Sequence, residues 1–299
     1  MYEGILYMRI LLFARKVRDE YLTYVHHVRA LLEEGGVDLF FTSELQQIYQ
    51  NTTTITKEKV IDDHSVLRSA QIDHIITLGG DGTILAATHL IRDLGISMLG
   101  INLGRLGFLA GVERRQIDDA ISHFLKENFR VEKRTMLYLE SNYPLFEDEP
   151  FALNDFTLHK RDTSSMITIK AYINGDQLNS YWSDGIIVAT PTGSTAYSLS
   201  CGGPIVFPGS GNFVITPVAP HNLNVRPIVI SDSSIISFEI EGRSENFLCT
   251  LDSRFETITM KHQLAVRKCD FDTHLIQIKD NTFLKTLRNK ISWGEDNRN

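Results

Sequence analysis

Chemistry is most legible in Gly79-Gly80-Asp81-Gly82-Thr83, where three glycines surround one carboxylate. A β-type run, residues 75–78, leads in, and a helical pattern from Ile84 follows at once. Glycine lets a backbone approach within hydrogen-bonding distance of another molecule and adopt positive φ. Gly82 and Thr83 open a helix whose first amides lack intrahelical partners and favour an anion. Gly79, Gly80, Gly82 and Thr83 are therefore candidate phosphate-binding residues. A carboxylate in such a cradle is out of place unless Asp81 handles a metal ion or a proton. The same residues also suit a tight strand-to-helix turn with Asp81 as its cap.

Two further stretches carry polar groups in unusual company. Ser183-Asp184-Gly185 enters a β run, and the run 190–200, Thr-Pro-Thr-Gly-Ser-Thr-Ala-Tyr-Ser-Leu-Ser, leaves it. Small residues permit close approach, hydroxyls supply donors and acceptors, and Tyr197 supplies a ring for stacking. A purine would suit such a pocket; a serine-rich loop with Tyr197 in the core is the plainer alternative. Asn154-Asp155 puts an amide beside a carboxylate in an otherwise apolar strand, residues 151–158. An amide can read an adenine edge and a carboxylate can accept from ribose hydroxyls, although Asn-Asp is also a common turn pair.

Absent motifs narrow the chemistry. Without GxxxxGK[ST] there is no Walker-type loop, and the partial spacing in Leu103-Gly104-Arg105-Leu106-Gly107 does not make GxGxxG. HExxH and GxSxG are missing too, which disfavours zinc hydrolysis and a nucleophile elbow.

The elements that must position these residues follow two grammars. Residues 5–14, 37–41, 72–78 and 96–101 read as buried strands, with Met8 as good a start for the first as Met1. They alternate with helical patterns at Leu22, Val25, Val28, Leu31 and Leu32 (stopped by Gly35-Gly36), at 84–94, and at Ile117, Ala120, Ile121, Phe124 and Leu125. The polar segment 42–56 reads as a loop. This alternation predicts a doubly wound parallel sheet in an α/β domain, residues 1–131, with ligands beyond the carboxyl ends of its strands. From residue 132 to 279 short β runs succeed one another: 136–140, 152–159, 166–173, 177–182, 185–190, 227–230, 235–241, 247–251, 257–260, 264–268 and 273–278. Asn174-Gly175 marks a hairpin. This half reads as a mostly β domain, a sandwich or related layered sheet. Phe283, Leu284, Leu287 and Ile291 predict a last helix, within residues 280–299, that returns to the first domain.

Composition bounds the partners. The 299 residues leave room for two domains, and 42% hydrophobic with 22% charged residues is ordinary for a globular protein. A net charge of −7 repels nucleic acid and anionic membranes at long range. Cys201, Cys249 and Cys269 form no CxxC pair, which suits a reducing cytoplasm. No uncharged apolar run reaches the ~18 residues of a membrane span, and the N-terminal run, with Arg9 inside it, reads as a strand rather than a signal peptide.

Taken in order, residues 79–83, 102–109, 153–155, 183–185, 190–200, 217–227 and Asp252-Ser253 resemble the NAD kinase family, over about Arg9 to Trp293. GGDG alone is shared with lipid kinases and phosphofructokinases; its combination with the run 190–200 is specific. The resemblance implies an α/β domain followed by a β-rich domain. It implies transfer of a phosphoryl group from ATP to the 2′-hydroxyl of the adenosine ribose of NAD, with Mg²⁺ or another divalent metal arriving with the nucleotide. It also implies a homo-oligomer, dimer or tetramer. Carried over, Asp81 matches the proton acceptor and Gly82 lies beside it at the nucleotide. Asn154 and Asp155 match the adenosine-binding pair, and Asp184 a residue near the nicotinamide. Thr195, Ala196, Tyr197, Ser198, Leu199 and Ser200 match the run around the adenine, and Ala219 lines the same pocket. Four positions depart from common family patterns: Asp155 for a glutamate, Ala86 for a basic residue, Arg254 for a glutamine and Asn224 for a serine. A lipid or sphingoid-base kinase, or a dinucleotide-binding regulator without catalysis, are the competing readings. The charge and the run 190–200 speak against the first, and the presence of Asp81 against the second.

Overall fold

The computed structural model describes residues 8–50, 55–147, 149–161, 166–278 and 282–291. The expected strand residues 5–7, the threonine run 51–54 and Trp293 lie outside the described residues. The chain divides into two compact units, residues 1–133 with 273–299, and residues 134–272.

The first unit begins with β1 (Arg9–Phe13), α1 (Leu22–Glu34), β2 (Asp38–Phe41), α2 (Ser43–Tyr49), α3 (His64–Ala70), β3 (His74–Gly79), α4 (Asp81–Ile91), β4 (Ser97–Asn102), β5 (Val112–Glu113), α5 (Ile117–Leu125) and β6 (Phe129–Arg134). β1 pairs in parallel with β2 and β3, and β3 with β4. Every residue of β4 is buried, as expected of a strand covered on both faces. On one face α1 buries Val25, Val28 and Leu32, and α5 buries Ile117, Ala120, Ile121 and Phe124, within one apolar cluster. α4 packs closely on β4 because Gly100 has no side chain: a Cβ there would lie 2.6 Å from Ile84 Cδ1.

The loop expected over residues 42–56 is corrected by α2. Only Leu45 and Tyr49, four residues apart, are buried there, so the helix shows a single apolar stripe among polar residues. The Tyr49 hydroxyl donates to the Val25 carbonyl (3.1 Å), and the Arg29 guanidinium lies 4.5 Å from the Tyr49 ring centroid. Tertiary partners therefore complete a helix too short to announce itself.

The second unit contains β7 (Leu137–Ser141), β8 (Phe151–Ala152), β9 (Asp155–Lys160), β10 (Ile167–Ile173), β11 (Asp176–Ser183), β12 (Gly185–Ala189), α6 (Tyr197–Ser200), β13 (Asn212–Val218), β14 (Ile228–Ser231), β15 (Ile236–Glu241), β16 (Phe247–Leu251), β17 (Arg254–Ile258) and β18 (Leu264–Lys268). They form two six-stranded antiparallel sheets, ordered β11-β10-β15-β18-β7-β8 and β14-β13-β12-β9-β16-β17. Phe156, Ile186 and Phe213 of one sheet and Ile169, Phe238 and Val266 of the other share one core, so the unit is a sandwich. Asn174 (φ 52°) and Gly175 (φ 90°) form the expected β10–β11 turn. β13 was not foreseen; Pro217 inside it argues locally against a strand. The single strand expected over residues 152–159 is also corrected. β8 and β9 belong to different sheets, and the chain crosses between them at Leu153-Asn154.

The chain then returns to the first unit through β19 (Thr273–Ile278) and α7 (Phe283–Ile291). β19 was expected in the β domain ending at residue 279; instead it pairs in parallel with β4, giving the order β2-β1-β3-β4-β19-β6. An isolated apolar run reads alike in either sheet, so only pairing decides its place. α7 packs on the first unit as expected, with Phe283 and Phe108 ring centroids 6.1 Å apart.

Phe213 is fully buried at the centre of the sandwich. Phe213→Ala is expected to cost about 3–5 kcal/mol of stability, read by denaturant unfolding.

Candidate active site

Asp81 is the first residue of α4, and the helix is capped by the backbone of Gly80, with no side-chain cap. The capping reading of Asp81 therefore falls away. Its carboxylate turns instead to the segment after β4: Oδ2 accepts from Phe108 N–H (2.8 Å), and Oδ1 from Leu109 (3.0 Å) and Ala110 (3.1 Å). Gly107 makes this possible, because a Cβ there would sit 1.9 Å from Asp81 Oδ1. A carboxylate has about four acceptor positions, so three amides leave roughly one for another donor. Lys290 Nζ of α7 stands 3.9 Å from Oδ2 and 4.7 Å from the Phe108 ring centroid.

None of Gly79, Gly80 and Gly82 takes positive φ, so their freedom is not what the loop uses. Gly79 is required by Thr83, whose Oγ1 would lie 2.1 Å from an added Cβ. Gly80 and Gly82 face open space with nothing within 4 Å of such an atom. A cavity of about 560 Å³ opens here, and its lining includes Gly79, Gly80, Thr83, Lys16, Arg18, Arg105 and Arg114. Lys16 and Arg18 follow the carboxyl end of β1. Asn102 shapes the loop that brings Arg105: its Nδ2 donates to Arg105 O (2.6 Å) and its Oδ1 accepts from Gly104 N–H (2.8 Å). Sequence reasoning missed these four cations, which come from several strand ends rather than from the position of Ala86. Their common signal was position after a parallel strand. A smaller cavity, about 360 Å³, adjoins through Asn102, Gly104 and Arg114, and includes Tyr24 and Leu106.

In the second unit the run 190–200 folds as a short turn and α6. Tyr197 is 41% exposed, which excludes the reading that places it in the core. Its hydroxyl meets His159 Nε2 (3.1 Å), and the two rings lie nearly parallel with centroids 5.8 Å apart. Thr195, Ala196 and Leu199 are partly exposed, and Ser200 is exposed. Ser198 differs: it is fully buried, its hydroxyl bonded to Thr216 Oγ1 (2.8 Å), so its side chain belongs to the wall behind the run. Asp184 is held by Lys160 Nζ at 2.5 Å. Ala219, exposed at the end of β13, takes φ 45°, an unfavourable conformation for a residue with a Cβ.

Asn154 and Asp155 sit at the crossing between the two sheets, where ladder pairing lapses. Asp252, at the β16–β17 turn, supplies the missing partner: its carboxylate accepts from Leu153 (2.9 Å), Asn154 (2.7 Å) and Asp155 (3.2 Å). From the other side, Thr190 Oγ1 donates to Leu153 O (2.6 Å) and Thr190 N–H to Asn154 O (2.9 Å). Gly193 packs flat on that backbone, since a Cβ would lie 2.0 Å from Asn154 O. Burial, then the neighbouring Asp252 charge, push the Asp155 carboxyl up to about 7, against a hydrogen bond from Thr157. Burial also raises Asp252, opposed by its three N–H donors and by Arg254. Among the described residues, no group of three or more His, Cys, Asp or Glu is disposed to hold a metal ion, and no helix is long and apolar enough to cross a membrane.

Glycines open to an anion, cations gathered from strand ends rather than from a GxxxxGK lysine, and an exposed ring beside buried hydroxyls define the class: a nucleotide-using phosphotransferase. Comparisons specify it. The family model described as "ATP-NAD kinase N-terminal domain" matches residues 10–129, and "ATP-NAD kinase C-terminal domain" matches residues 153–278. An NAD kinase of Cytophaga hutchinsonii is 42% identical over 288 residues, covering 96% of this chain and 99% of that one. One from Flavobacterium psychrophilum is 42% identical over 295 residues, covering 98% and 100%. A yeast NADH kinase complexed with NADH superimposes with a TM-score of 0.85 at 21% identity, over 98% of this chain and 89% of that one. The chain belongs to the ATP-NAD kinase family and is a kinase.

The raised Asp155 carboxyl has a consequence for stability. The unfolded chain releases this proton near 3.8, whereas the folded chain keeps it to about 7. The stability it contributes is therefore full below about pH 4 and lost as pH rises to about 7. Asp155→Asn is expected to flatten the melting temperature across that window, read by melting curves of both proteins from pH 4 to pH 8.

Proposed function

We propose that the chain transfers the terminal phosphoryl group of ATP to the 2′-hydroxyl of the adenosine ribose of NAD, making NADP, with Asp81 as general base. The observation that carries this is the Asp81 carboxylate, fixed by three amides with about one acceptor position left. A ribose hydroxyl is a poor nucleophile at neutral pH, and a positioned carboxylate in hydrogen-bond reach orients it and accepts its proton. Asn154, Asp155, Tyr197 and the rest of the run 195–200 take the adenosine part of NAD, with Ala219 at the same pocket and Asp184 toward the nicotinamide. The Ser198 hydroxyl, turned inward, contributes shape and not a contact.

The donor's phosphates fit the cavity between Gly79, Gly80 and Thr83 and the four cations, which offset their charge. One carboxylate makes a poor cage for a divalent ion, which suits Mg²⁺ that takes its other ligands from phosphates and water. Bound there, Mg²⁺ would supply charge neutralisation for phosphoryl transfer. Asp81, with its remaining acceptor, is the residue that would touch it.

A homo-oligomer, dimer or tetramer, is part of this reading, as the family resemblance implies. The reading places the enzyme in the cytoplasm with neither a nucleic-acid nor a membrane partner, in keeping with the net charge of −7.

Two measurements test the assignment. Asp81→Asn keeps size and most hydrogen bonding but removes charge and basicity. Turnover is expected to fall roughly 10²–10⁴-fold with NAD affinity by calorimetry nearly unchanged, while the melting temperature drops modestly because the amide nitrogen meets at least one of the three N–H groups without accepting from it. Near-wild-type turnover in a folded variant would remove the base, and a joint loss of affinity and turnover would make Asp81 chiefly a binding residue. Tyr197→Ala is expected to weaken NAD binding about tenfold or more while sparing ATP, since base–aromatic contacts are worth about 1–3 kcal/mol. Unchanged NAD affinity would take Tyr197 out of the pocket.

A further inference from the structure

A second group of residues bears on the dinucleotide site without lying in the run around it. Where the chain leaves β8 for β9 it changes sheets, so Leu153 and Asn154 have backbone groups that no strand ladder satisfies. An unmet buried amide costs about 1–3 kcal/mol, and three in succession would not hold one conformation. The β16–β17 turn meets them from one side. Asp252 takes all three N–H groups from Leu153 to Asp155, and its own N–H donates back to Asp155 O (2.9 Å). Two residues on, Arg254 reaches the chain entering the crossing, with Nη1 on Glu149 O (2.8 Å) and Nη2 on Phe151 O (2.6 Å). Its guanidinium also pairs with Glu149 (3.6 Å) and lies over the Phe146 and Phe151 rings. The turn thus grips residues 149–155 at both ends, through an anion on N–H groups and a cation on carbonyls. The geometry is demanding: Asp252 itself takes φ 53°, a strained conformation held by the contacts it makes.

We infer that Asp252 and Arg254 are positioning residues of the dinucleotide site, which fix the backbone of Asn154 and Asp155 so that their side chains meet the adenosine ribose. This rests on the reading of Asn154 and Asp155 as adenosine-binding residues. Two carboxylates so close in a buried place resist being ionised together. Asp252 has three N–H donors and Arg254 to favour its charged form, while Asp155 has Thr157 and lies near Tyr197 and Cys201, and burial with the Asp252 charge pushes its carboxyl up. Glu149 and Glu256 also act on the Arg254 guanidinium. A protonated Asp155 can donate to a ribose oxygen and an ionised one can only accept, so NAD affinity should change through neutral pH.

The test compares Asp252→Asn, Arg254→Gln and Asp155→Asn in the full chain. For each, KM for NAD and for ATP, kcat and the melting temperature are measured from pH 6 to pH 9. Asp252→Asn turns an amide nitrogen toward a backbone N–H and removes the charge. It is expected to raise KM for NAD about tenfold or more, with KM for ATP within about twofold, and to shift the pH inflection of the NAD term downward. Arg254→Gln reaches one carbonyl where arginine reaches two, and should raise KM for NAD about threefold to tenfold. A purely structural role predicts lower melting temperatures with KM and pH profile unmoved, and that result overturns the inference. If Asp252→Asn does not fold, Arg254→Gln decides by the same criterion. Should Asp155→Asn itself leave KM for NAD unchanged over the whole pH range, the adenosine assignment fails instead. A rise with Asp155→Asn but not with the turn variants removes the positioning role alone.

Discussion

Backbone N–H groups that emerge where regular pairing stops must find acceptors, and in both units a carboxylate meets three consecutive ones. Asp81 accepts from residues 108–110, and Asp252 from residues 153–155. The contact orders the loop and immobilises the carboxylate together, since each amide left unmet would cost more than a typical hydrogen bond returns. Each carboxylate replaces a piece of secondary structure with a fixed charge at a strand end. The glycines around them follow from that arrangement, because Gly107 and Gly193 lie where a methyl group would strike Asp81 or the Asn154 carbonyl.

The two carboxylates differ in surroundings, and so in use. Asp81 remains about a third open, beside a cavity and within reach of Lys290. It keeps capacity for about one more donor. Asp252 is closed off, and its remaining neighbours, Arg254 and the raised carboxyl of Asp155, are protein groups. A charge kept in such a place is costly unless fully paired. It orders the segment carrying Asn154 and Asp155 from one side, as Thr190 does from the other.

The first unit gathers its polar cavity without a Walker loop. Glycines at the start of α4 leave space, and the positive charge comes from Lys16, Arg18, Arg105 and Arg114, on loops after β1, β4 and β5. Because the cations are spread over several strand ends, no one stretch of sequence displays them.

Much of this was decided by the sequence alone. Apolar runs alternating with 3.6-residue periodicity dictated the α/β unit, because both faces of a parallel sheet must be covered, and the change to short β runs near residue 131 marked the second unit. Asn174-Gly175 specified its turn, and the run 79–83 together with the run 190–200 specified the family, since those spacings are rare in combination. What lay beyond local reading was anything that depends on a distant partner. α2 needed Val25 and Arg29 to complete Leu45 and Tyr49, and β19 needed β4 to declare its sheet. The break at Leu153-Asn154 needed a second sheet to cross into. The hold of Asp252 and Arg254 on a segment about a hundred residues earlier became visible only when the sandwich closed, because a hydrogen bond between remote residues leaves no period or spacing in the chain.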